Sequence, residues 1–387
     1  MKRLGTESAF AVLAQAQALE RTGRKVVHLE IGEPDFPTPA HIVEAAEAGL
    51  RAGHTHYVPS PGTPRLREAV SAFLERTGRL RASPDRVVVT PGAKPIMFFT
   101  ILALCEEGDE VLYPDPGFPM YESICAFSGA LPVPVPLREE NGFRVDPEEV
   151  ERLVTPRTKL LILNSPHNPC GSALTRQDCE ALAEIAQRHD LTVLTDEVYW
   201  AIRYDGKHSS VLDVDGMAER TILLDGWSKT FAMTGWRLGF GVFPPALVDP
   251  VTRLVVNSVS CTSAFSQDAA VAALEGPWQP VDDIVNEFRA RRDVIVDGLN
   301  AIPGISCQKP QGAFYVFPNV KALGIPSSVM AARLLDEAGV ACLSGTAFGA
   351  WGEGYIRLSY ANSVENISSA LESVRQFCST SSSHPWE

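Results

Sequence analysis

A lysine and an arginine stand close together in the segment Ser228–Arg237, separated by three residues from the preceding Thr221–Leu224, an apolar stretch typical of a buried strand. A lysine amine in a desolvated site has a lowered pKa, which would suit Lys229 to attack a carbonyl carbon. Arg237 follows eight positions later, beyond the turn residue Gly235, and its guanidinium could hold a phosphate. Such pairs are more often solvated surface charges, so the residues after the other strands must decide the interpretation.

Two predicted strands earlier in the chain end in segments that could contact a flat, phosphorylated ligand. The strand Val87–Thr90 is followed by Gly92, Ala93 and Lys94 at the start of an apolar helix. Free backbone N–H groups and small side chains at such a position suit a phosphate. A proline-rich loop after the next strand presents Phe118, which could stack on an aromatic ring. Taken alone, these segments also fit a glycine turn and a core aromatic.

Amide, acidic and phenolic side chains follow the next two strands. Asn168 is either an Asx-turn residue or a donor to a ligand oxygen. Asp196 either caps a helix or, if buried, needs a cationic partner that a protonated ring nitrogen would supply. Tyr199, three positions on, could donate to the same ring. Ligands of parallel sheets bind at the carboxyl ends of the strands, so these segments together predict a site for a phosphorylated pyridine aldehyde.

The elements that must position these residues follow a strand–helix alternation between residues 86 and 243, typical of a mostly parallel sheet covered by helices on both faces. After residue 305, short strands and helices predict a smaller α+β domain. No G-x-G-x-x-G follows the first strand of the sheet, which argues against a nicotinamide-binding Rossmann site. The predicted strands of the sheet are Val87–Thr90, Glu110–Tyr113, Leu160–Asn164, Thr192–Thr195, Thr221–Leu224 and Leu238–Phe243.

Composition excludes several classes of function. The 387 residues carry a net charge of −13, which disfavours nucleic acid and anionic membranes as partners. Eight cysteines occur without a C-x-x-C pair, so we expect reduced thiols, a cytoplasmic location and no disulfide framework. His54 and His56 are the only close histidine pair, and without further ligands in view we expect no metal.

Four motifs identify a family. They are Gly-Glu-Pro-Asp-Phe at 32–36, Asn-Pro-Cys-Gly at 168–171, Asp-Glu-Val-Tyr at 196–199 and the Ser-Lys…Gly-Trp-Arg segment at 228–237. With these motifs the chain, from about Ser8 to Phe377, resembles the fold-type I pyridoxal-phosphate enzymes of the class I and II aminotransferases, and in particular the bacterial aspartate aminotransferase branch. The resemblance implies a mostly parallel seven-stranded sheet flanked by helices, with a smaller α+β domain. It also implies ping-pong transfer of an amino group from an L-amino acid to a 2-oxo acid.

The resemblance further implies an organisation in domains and subunits. Residues 1–40 would form an N-terminal arm and part of the small domain, residues 41–285 the large cofactor-binding domain, and residues 286–387 the small C-terminal domain. The enzyme would be a cytoplasmic homodimer with shared active sites.

By this resemblance, Lys229 forms the internal aldimine with pyridoxal 5′-phosphate and later moves a proton as base and acid. Asp196 pairs with the pyridinium nitrogen, Tyr199 and Asn168 hold the ring hydroxyl oxygen, and Phe118 stacks on the ring.

The two ends of the ligand would be held by different groups. Arg357, in the strand Tyr355–Ser359, would clamp the substrate α-carboxylate bidentately, assisted by Asn168 and the backbone of Gly32. The implied phosphate-binding residues are Gly92, Ala93, Lys94, Ser228, Arg237 and, from the other subunit, Tyr57.

Two departures from the family pattern concern the ligand contacts. Gly226 stands where the family often has a phosphate-binding serine, so that contact is lost or made by Ser228. Lys94 matches a lysine that can meet a distal carboxylate in aspartate-specific relatives, but Ala9 and Ala11 replace the hydroxyls of those relatives. Phe10, Trp200 and Phe265 could instead form an apolar pocket.

Two alternatives stay open at this stage. The same scaffold serves C–S β-lyases and other specialised pyridoxal-phosphate enzymes, and a more remote alternative is a regulatory protein with an aminotransferase-like domain.

Overall fold

A computed structural model describes residues 4–381 of the chain. Its helices are α1 (Ser8–Glu20), α2 (Ala40–Arg51), α3 (Pro64–Arg76), α4 (Lys94–Leu104), α5 (Met120–Ser128), α6 (Pro147–Leu153), α7 (Arg176–Arg188), α8 (Trp227–Thr230), α9 (Pro245–Ser258), α10 (Ala264–Glu275), α11 (Gln279–Asn300), α12 (Ser327–Ala338) and α13 (Val364–Ser381). Its strands are β1 (Val27–His28), β2 (Val87–Thr90), β3 (Glu110–Asp115), β4 (Leu131–Pro136), β5 (Thr158–Asn164), β6 (Thr192–Asp196), β7 (Thr221–Gly226), β8 (Gly239–Val242), β9 (Tyr315–Val316), β10 (Val340–Ala341), β11 (Leu343–Ser344) and β12 (Ile356–Ser359).

The large sheet confirms the predicted fold class. Its seven strands have the order β2-β8-β7-β6-β5-β3-β4, and all neighbours are parallel except β8, which runs antiparallel to β2 and β7. The strands β2, β3, β7 and β8 are buried along their whole length, because helices cover both faces. The parallel order brings the carboxyl ends of β5, β6 and β7 side by side.

The edge strand β4 was missing from the sequence prediction. Its sequence, Leu-Pro-Val-Pro-Val-Pro, has a proline at every second position, which argues against a central strand. The backbone N–H groups of Leu131 and Leu137 donate toward the β3 side, to Asp109 and Asp115. The prolines occupy the alternate positions, whose missing donors would face away from β3, and an edge strand tolerates this.

The smaller part of the fold is built from both ends of the chain. The antiparallel sheet β11-β12-β9 lies within the C-terminal third, and β1 pairs in parallel with β10 through Val27 and Val340. The 22-residue helix α11 buries one face, including Phe288 and Leu299. The β1–β10 pairing supports the grouping of residues 1–40 with the C-terminal domain, although the domain boundaries themselves stay a prediction.

Candidate active site

A cavity of about 530 Å³ lies at the carboxyl ends of the central strands. It gathers segments that are far apart in the sequence, from the loop after β1 to the strand β12. The predicted residues that line it are Gly32, Ala93, Lys94, Phe118, Asn168, Asp196, Tyr199, Ser228, Lys229, Arg237 and Arg357. Gly92 lies beside this wall, and Tyr57 does not line the cavity but is 90% exposed. Its predicted role belongs to a second subunit and stays a prediction.

Lys229 lies on α8, a single helical turn that directly follows β7. The fully buried Trp227 fixes this turn, because its indole N–H donates to the carbonyl of Ala270 at 3.1 Å. Lys229 Nζ donates to the backbone oxygen of Gly32 at 2.6 Å. Burial lowers the pKa of the Lys229 amine to about 8, so that more of it is neutral and nucleophilic near physiological pH than for an ordinary lysine.

Steric crowding explains why the residue just before this turn is a glycine. Gly226 is followed by the turn that carries Lys229, and a Cβ at this position would lie 2.9 Å from the carbonyl oxygen of Leu238. A serine at position 226 would therefore require the backbone of the neighbouring segment to shift. Ser228, which lines the cavity, is the nearby hydroxyl that remains.

Asp196 ends β6 as a buried carboxylate. It accepts a hydrogen bond from the hydroxyl of Tyr121 at 2.7 Å and a longer one from the backbone N–H of Val198 at 3.4 Å. It forms no ion pair within residues 4–381, and burial raises its pKa to about 6. A buried carboxylate without a cation is unfavourable, so a protonated group on a bound ligand would complete this part of the site.

Tyr121 was not among the predicted site residues. It lies just after the proline-rich loop that presents Phe118, on helix α5. The signal that could have located it is the run Met120–Ser128 after Pro119, whose buried Tyr121, Ile124 and Cys125 recur at helical spacing.

Arg357 is a buried cation without an anionic partner among the described residues. Its guanidinium donates to Asn168 Oδ1 at 3.3 Å and to the backbone oxygen of Glu30, and its Nε is buried without a hydrogen-bond partner. The ring centroids of Tyr315 and Phe348 lie 4.5 and 5.0 Å from its central carbon. Burial lowers the pKa of Arg357, and a carboxylate placed here would compensate for the buried charge.

A pair of phenols connects the two parts of the site. The hydroxyls of Tyr199 and Tyr315 lie 2.8 Å apart, and the Tyr315 ring packs on Arg357. Burial raises the pKa of Tyr199 well above its usual value, so the phenol remains a hydrogen-bond donor. Tyr315 was missed by the sequence analysis because its β9 segment, Tyr315–Val316, has no feature that distinguishes it from a core strand.

Arg237 and the first turn of α4 form the opposite end of the cavity. Arg237 adopts a left-handed backbone conformation with φ 54° and donates to the carbonyl of Thr234 at 2.8 Å. It makes no ion pair within the described part of the chain. Gly92, at φ +84°, lies so close to this guanidinium that a Cβ would overlap it. Ala93 gives α4 no side-chain cap. Pro95 has no N–H and the N–H of Ile96 donates to the carbonyl of Ala93, so the backbone N–H groups of Ala93 and Lys94 are the ones at this turn that an anion could contact together with Arg237.

Two of the aromatic side chains expected to form an apolar pocket lie elsewhere. Phe10 does line the cavity. Trp200, however, packs in the core against Phe73 and Trp278 at ring distances of 5.9 and 5.8 Å, and Phe265 packs against the same core cluster. The expectation was wrong for these two residues, because the sequence alone does not determine toward which side of its element an aromatic ring packs.

A buried charge network lies beneath the site and was also missed. Arg79 donates to Asp225 Oδ2 at 2.6 Å and to Glu197 Oε2 at 2.8 Å, and His208 Nε2 lies 2.9 Å from Glu197 Oε2. Glu197 follows Asp196, and Asp225 precedes the turn that carries Lys229. The network therefore connects the ends of β6 and β7, the two strands that position Asp196 and Lys229.

Other kinds of site receive no support from the described residues. Between residues 4 and 381, no group of three or more His, Cys, Asp or Glu side chains is arranged to hold a metal ion. The same part of the chain contains no helix with the length and hydropathy needed to cross a bilayer.

Comparison with known proteins places the chain among enzymes of one kind. A family profile described as aminotransferase class I and II matches residues 24–374. The chain is 43% identical to an aspartate aminotransferase of Pyrococcus abyssi and 42% identical to aromatic-amino-acid aminotransferase 2 of Thermococcus litoralis, in each case over 90% of both chains. It is also similar to the structure of the Thermus thermophilus aspartate aminotransferase with maleate, with a TM-score of 0.93, 37% identity and coverage of 97% and 98% of the two chains.

Proposed function

The chain belongs to the class I and II aminotransferases, and from this premise we propose that the cavity around Lys229 is its active site. Members of this family are pyridoxal-phosphate-dependent enzymes of fold type I, so the protein is an enzyme that transfers an amino group between an amino acid and a 2-oxo acid. The assignment of individual residues to steps of this reaction is our proposal.

One observation carries the assignment. The cavity contains Lys229, whose pKa is lowered, together with the buried Asp196 carboxylate and the buried Arg357 guanidinium. Neither Asp196 nor Arg357 has an oppositely charged partner among residues 4–381. Burying each of these groups alone destabilises the folded protein. The ligands that this reaction requires carry one group that would compensate for each of them. Strained or uncompensated charges of this kind cluster at functional sites.

These residues fit pyridoxal phosphate. Arg237 and the free N–H groups of α4 would bind its phosphate, Asp196 would accept a hydrogen bond from its ring nitrogen, and Phe118 would stack on its ring. When bound, the cofactor supplies a protonated pyridine ring that withdraws electrons from the substrate Cα. The Tyr121 hydroxyl fixes the carboxylate of Asp196, and Tyr199 and Asn168 are the nearby hydrogen-bonding groups for the ring hydroxyl.

Lys229 has two tasks in this proposal. Its amine would hold the cofactor covalently in the resting enzyme. Once the substrate amine had displaced it, the free amine of Lys229 would take up the proton from the substrate Cα and would later give it up again as an acid. A pKa near the operating pH makes both the uptake and the release of a proton efficient. Arg357 holds the α-carboxylate and thereby orients the Cα–H bond toward Lys229.

We propose further that two subunits complete each site and that the enzyme works in the cytoplasm. Tyr57 is a large, almost fully exposed side chain outside its own cavity, which supports a contact with a second subunit. The seven cysteines from Cys105 to Cys342 are thiols in the structure, which supports a reducing compartment.

We expect the absorbance of the cofactor-loaded protein to identify the amino acids that serve as amino donors. Mixing it with each common amino acid, in the absence of any 2-oxo acid, should shift the absorbance of the bound cofactor for the true donors, and a 2-oxo acid should then reverse the shift. Absorbance spectra and detection of the new 2-oxo acid measure the two half-reactions. Steady release of ammonia without an acceptor would contradict transamination and favour a lyase.

Arg237 and Arg357 should separate cofactor binding from substrate binding. Arg237→Ala removes a charge-assisted contact to phosphate and should weaken cofactor retention by about ten- to one-hundredfold. Arg357→Ala should leave retention unchanged and raise KM for amino acid and 2-oxo acid by a similar factor. Arg357→Lys keeps the charge but not the bidentate geometry, and should recover little of this loss. Cofactor titration and steady-state kinetics measure the two effects, and an interchange of them would refute the assignment.

A further inference from the structure

An ion pair lies at the wall of the cavity and takes no part in the proposed amino-group transfer. Glu7, the residue before α1, pairs through Oε1 with Lys94 Nζ at the start of α4. Both residues line the same cavity as Lys229 and Arg357. The Glu7 side chain is 18% exposed and the Lys94 side chain 49% exposed, so the carboxylate is the more enclosed partner. Lys94 Nζ also lies 5.7 Å from the ring centroid of Phe118, which brings the pair next to the proposed cofactor ring.

The charges of the cavity leave room for one substrate carboxylate. Its cationic side chains within the described part of the chain are Lys94, Lys229, Arg237 and Arg357. Arg357 is assigned to the α-carboxylate, Arg237 to the phosphate and Lys229 to the covalent chemistry. Among residues 4–381 of the same chain, Lys94 is therefore the only lining cation left for a second carboxylate on a substrate side chain. Glu7 already neutralises that cation.

A dicarboxylic substrate would have to displace Glu7 from Lys94. The displaced Glu7 carboxylate would then lie close to the substrate carboxylate in a partly enclosed site, where like charges repel more strongly than in water. Burial lowers the pKa values of Lys229 and Arg357, and the Glu7 carboxylate, which lines the same cavity, offsets a small part of that effect. Specificity commonly depends on such a repulsive element as well as on attractive contacts.

Apart from Ser8, the residues that line the wall next to this pair are largely apolar. Ala9 and Phe10 follow Glu7 after the intervening Ser8, and the ring centroid of Phe348 lies 5.0 Å from the guanidinium carbon of Arg357. Leu343 lines the same cavity. A substrate side chain that leaves Arg357 toward this wall would meet methyl, methylene and ring surfaces, whose burial favours binding in proportion to the apolar area covered.

We propose that Glu7 determines the substrate class of this aminotransferase. By holding Lys94 in an ion pair, it selects amino acids and 2-oxo acids with a neutral, apolar side chain, aromatic or long aliphatic, and disfavours those with a side-chain carboxylate. This inference rests on the proposed active site, and it assigns to Glu7 a role in specificity and none in the chemical step.

The test compares two unreactive acids that differ only at the end distant from the shared carboxylate. Calorimetry measures binding of succinate and of 3-phenylpropionate to the cofactor-loaded protein and to its variants. The unmodified protein should bind 3-phenylpropionate more tightly. Glu7→Gln, which removes the charge and keeps the shape, should strengthen succinate binding by about tenfold and change 3-phenylpropionate binding by less than about twofold. Glu20→Gln is the matched control, because it removes the same charge at the other end of α1, outside the cavity, and should change neither value.

A second variant identifies the origin of the gain. Glu7→Gln combined with Lys94→Met should lose the improved succinate binding, since the released cation is then absent. The proposal is overturned if the unmodified protein prefers succinate, or if Glu7→Gln leaves the ratio of the two affinities unchanged. If Glu7→Gln fails to fold, a preference of the unmodified protein for succinate still overturns the proposal, and Glu7→Ala replaces it for the comparison of the two affinities. If no amino acid alters the absorbance of the bound cofactor, the proposed function fails. If dicarboxylic amino acids alter that absorbance as readily as apolar ones do, only the role of Glu7 is overturned.

Discussion

Replacing Lys229 by alanine should lower turnover by about four orders of magnitude or more, because the variant loses both the covalent attachment of the cofactor and the base that moves the Cα proton. Cofactor binding should persist, since Arg237, Asp196 and the first turn of α4 remain. The expected protein is therefore coloured by retained cofactor but inactive.

A chemical experiment locates the attachment directly. Borohydride reduction of the unmodified, cofactor-loaded protein should fix pyridoxal phosphate to one peptide, and mass spectrometry should identify Lys229 in it. Lys229→Ala should remain unlabelled after the same treatment. Lys94→Met serves as the control, because it removes the other lysine of the cavity and should leave the labelling of Lys229 intact. Labelling at Lys94, or appreciable turnover by Lys229→Ala, would be incompatible with the proposed site.

The second large effect is expected from a residue that touches no ligand. Arg79→Gln should destabilise the folded protein by about 3–5 kcal/mol, the usual result of removing one partner from a buried ion pair. Asp225 and Glu197 would remain buried at 2.6 and 2.8 Å from the former guanidinium nitrogens. Burial raises the pKa of a carboxyl group, but His208 and Arg79 hold the pKa of Glu197 well below its usual range. Without Arg79, part of that effect is lost.

The stability lost in Arg79→Gln should depend on pH. In Arg79→Gln, the two carboxyl groups should have higher pKa values in the folded than in the unfolded state, so the folded state should bind more protons. The stability difference from the unmodified protein should therefore shrink as the pH falls from 8 toward 5. Chemical denaturation at fixed protein concentration, repeated across this range, measures it.

The chain offers a matched control two residues away. Arg81 pairs with Glu75 at 3.2 Å, but its side chain is 88% exposed, and exposed pairs contribute little. Arg81→Gln should change the free energy of unfolding by less than about 0.5 kcal/mol and show no comparable pH trend. Equal effects of the two substitutions would mean that the buried network does not stabilise the strand ends.

The network also links stability to chemistry. It fixes Glu197 next to Asp196 and Asp225 just before the turn of Lys229, so a folded Arg79→Gln protein should still position both groups less well. In this view Arg79 is a positioning residue. A reduced kcat at unchanged cofactor content distinguishes this role from a loss of folded protein.

The sequence by itself determined the fold class, the family, the cofactor and the identity of the reaction, and it named a lysine, an acid and two arginines that the structure brings into one cavity. It could do so because parallel strands place their carboxyl ends at one edge, so the residues just after each strand converge whatever the packing between them. The motifs around Lys229 and Asp196 are local, and a local pattern is visible in the chain.

The tertiary structure alone decided the contacts that complete the site. Tyr121 bonds Asp196 across 75 positions, Tyr199 meets Tyr315 across 116, and Arg79 reaches Asp225 across 146. The pairing of Glu7 with Lys94, 87 positions apart, is of the same kind. No periodicity encodes such pairs, because they depend on which faces of distant elements pack together, and for the same reason Trp200 and Phe265 were wrongly expected in the pocket. The sequence shows that Lys94 carries a positive charge. Only the fold shows that Glu7 neutralises this charge.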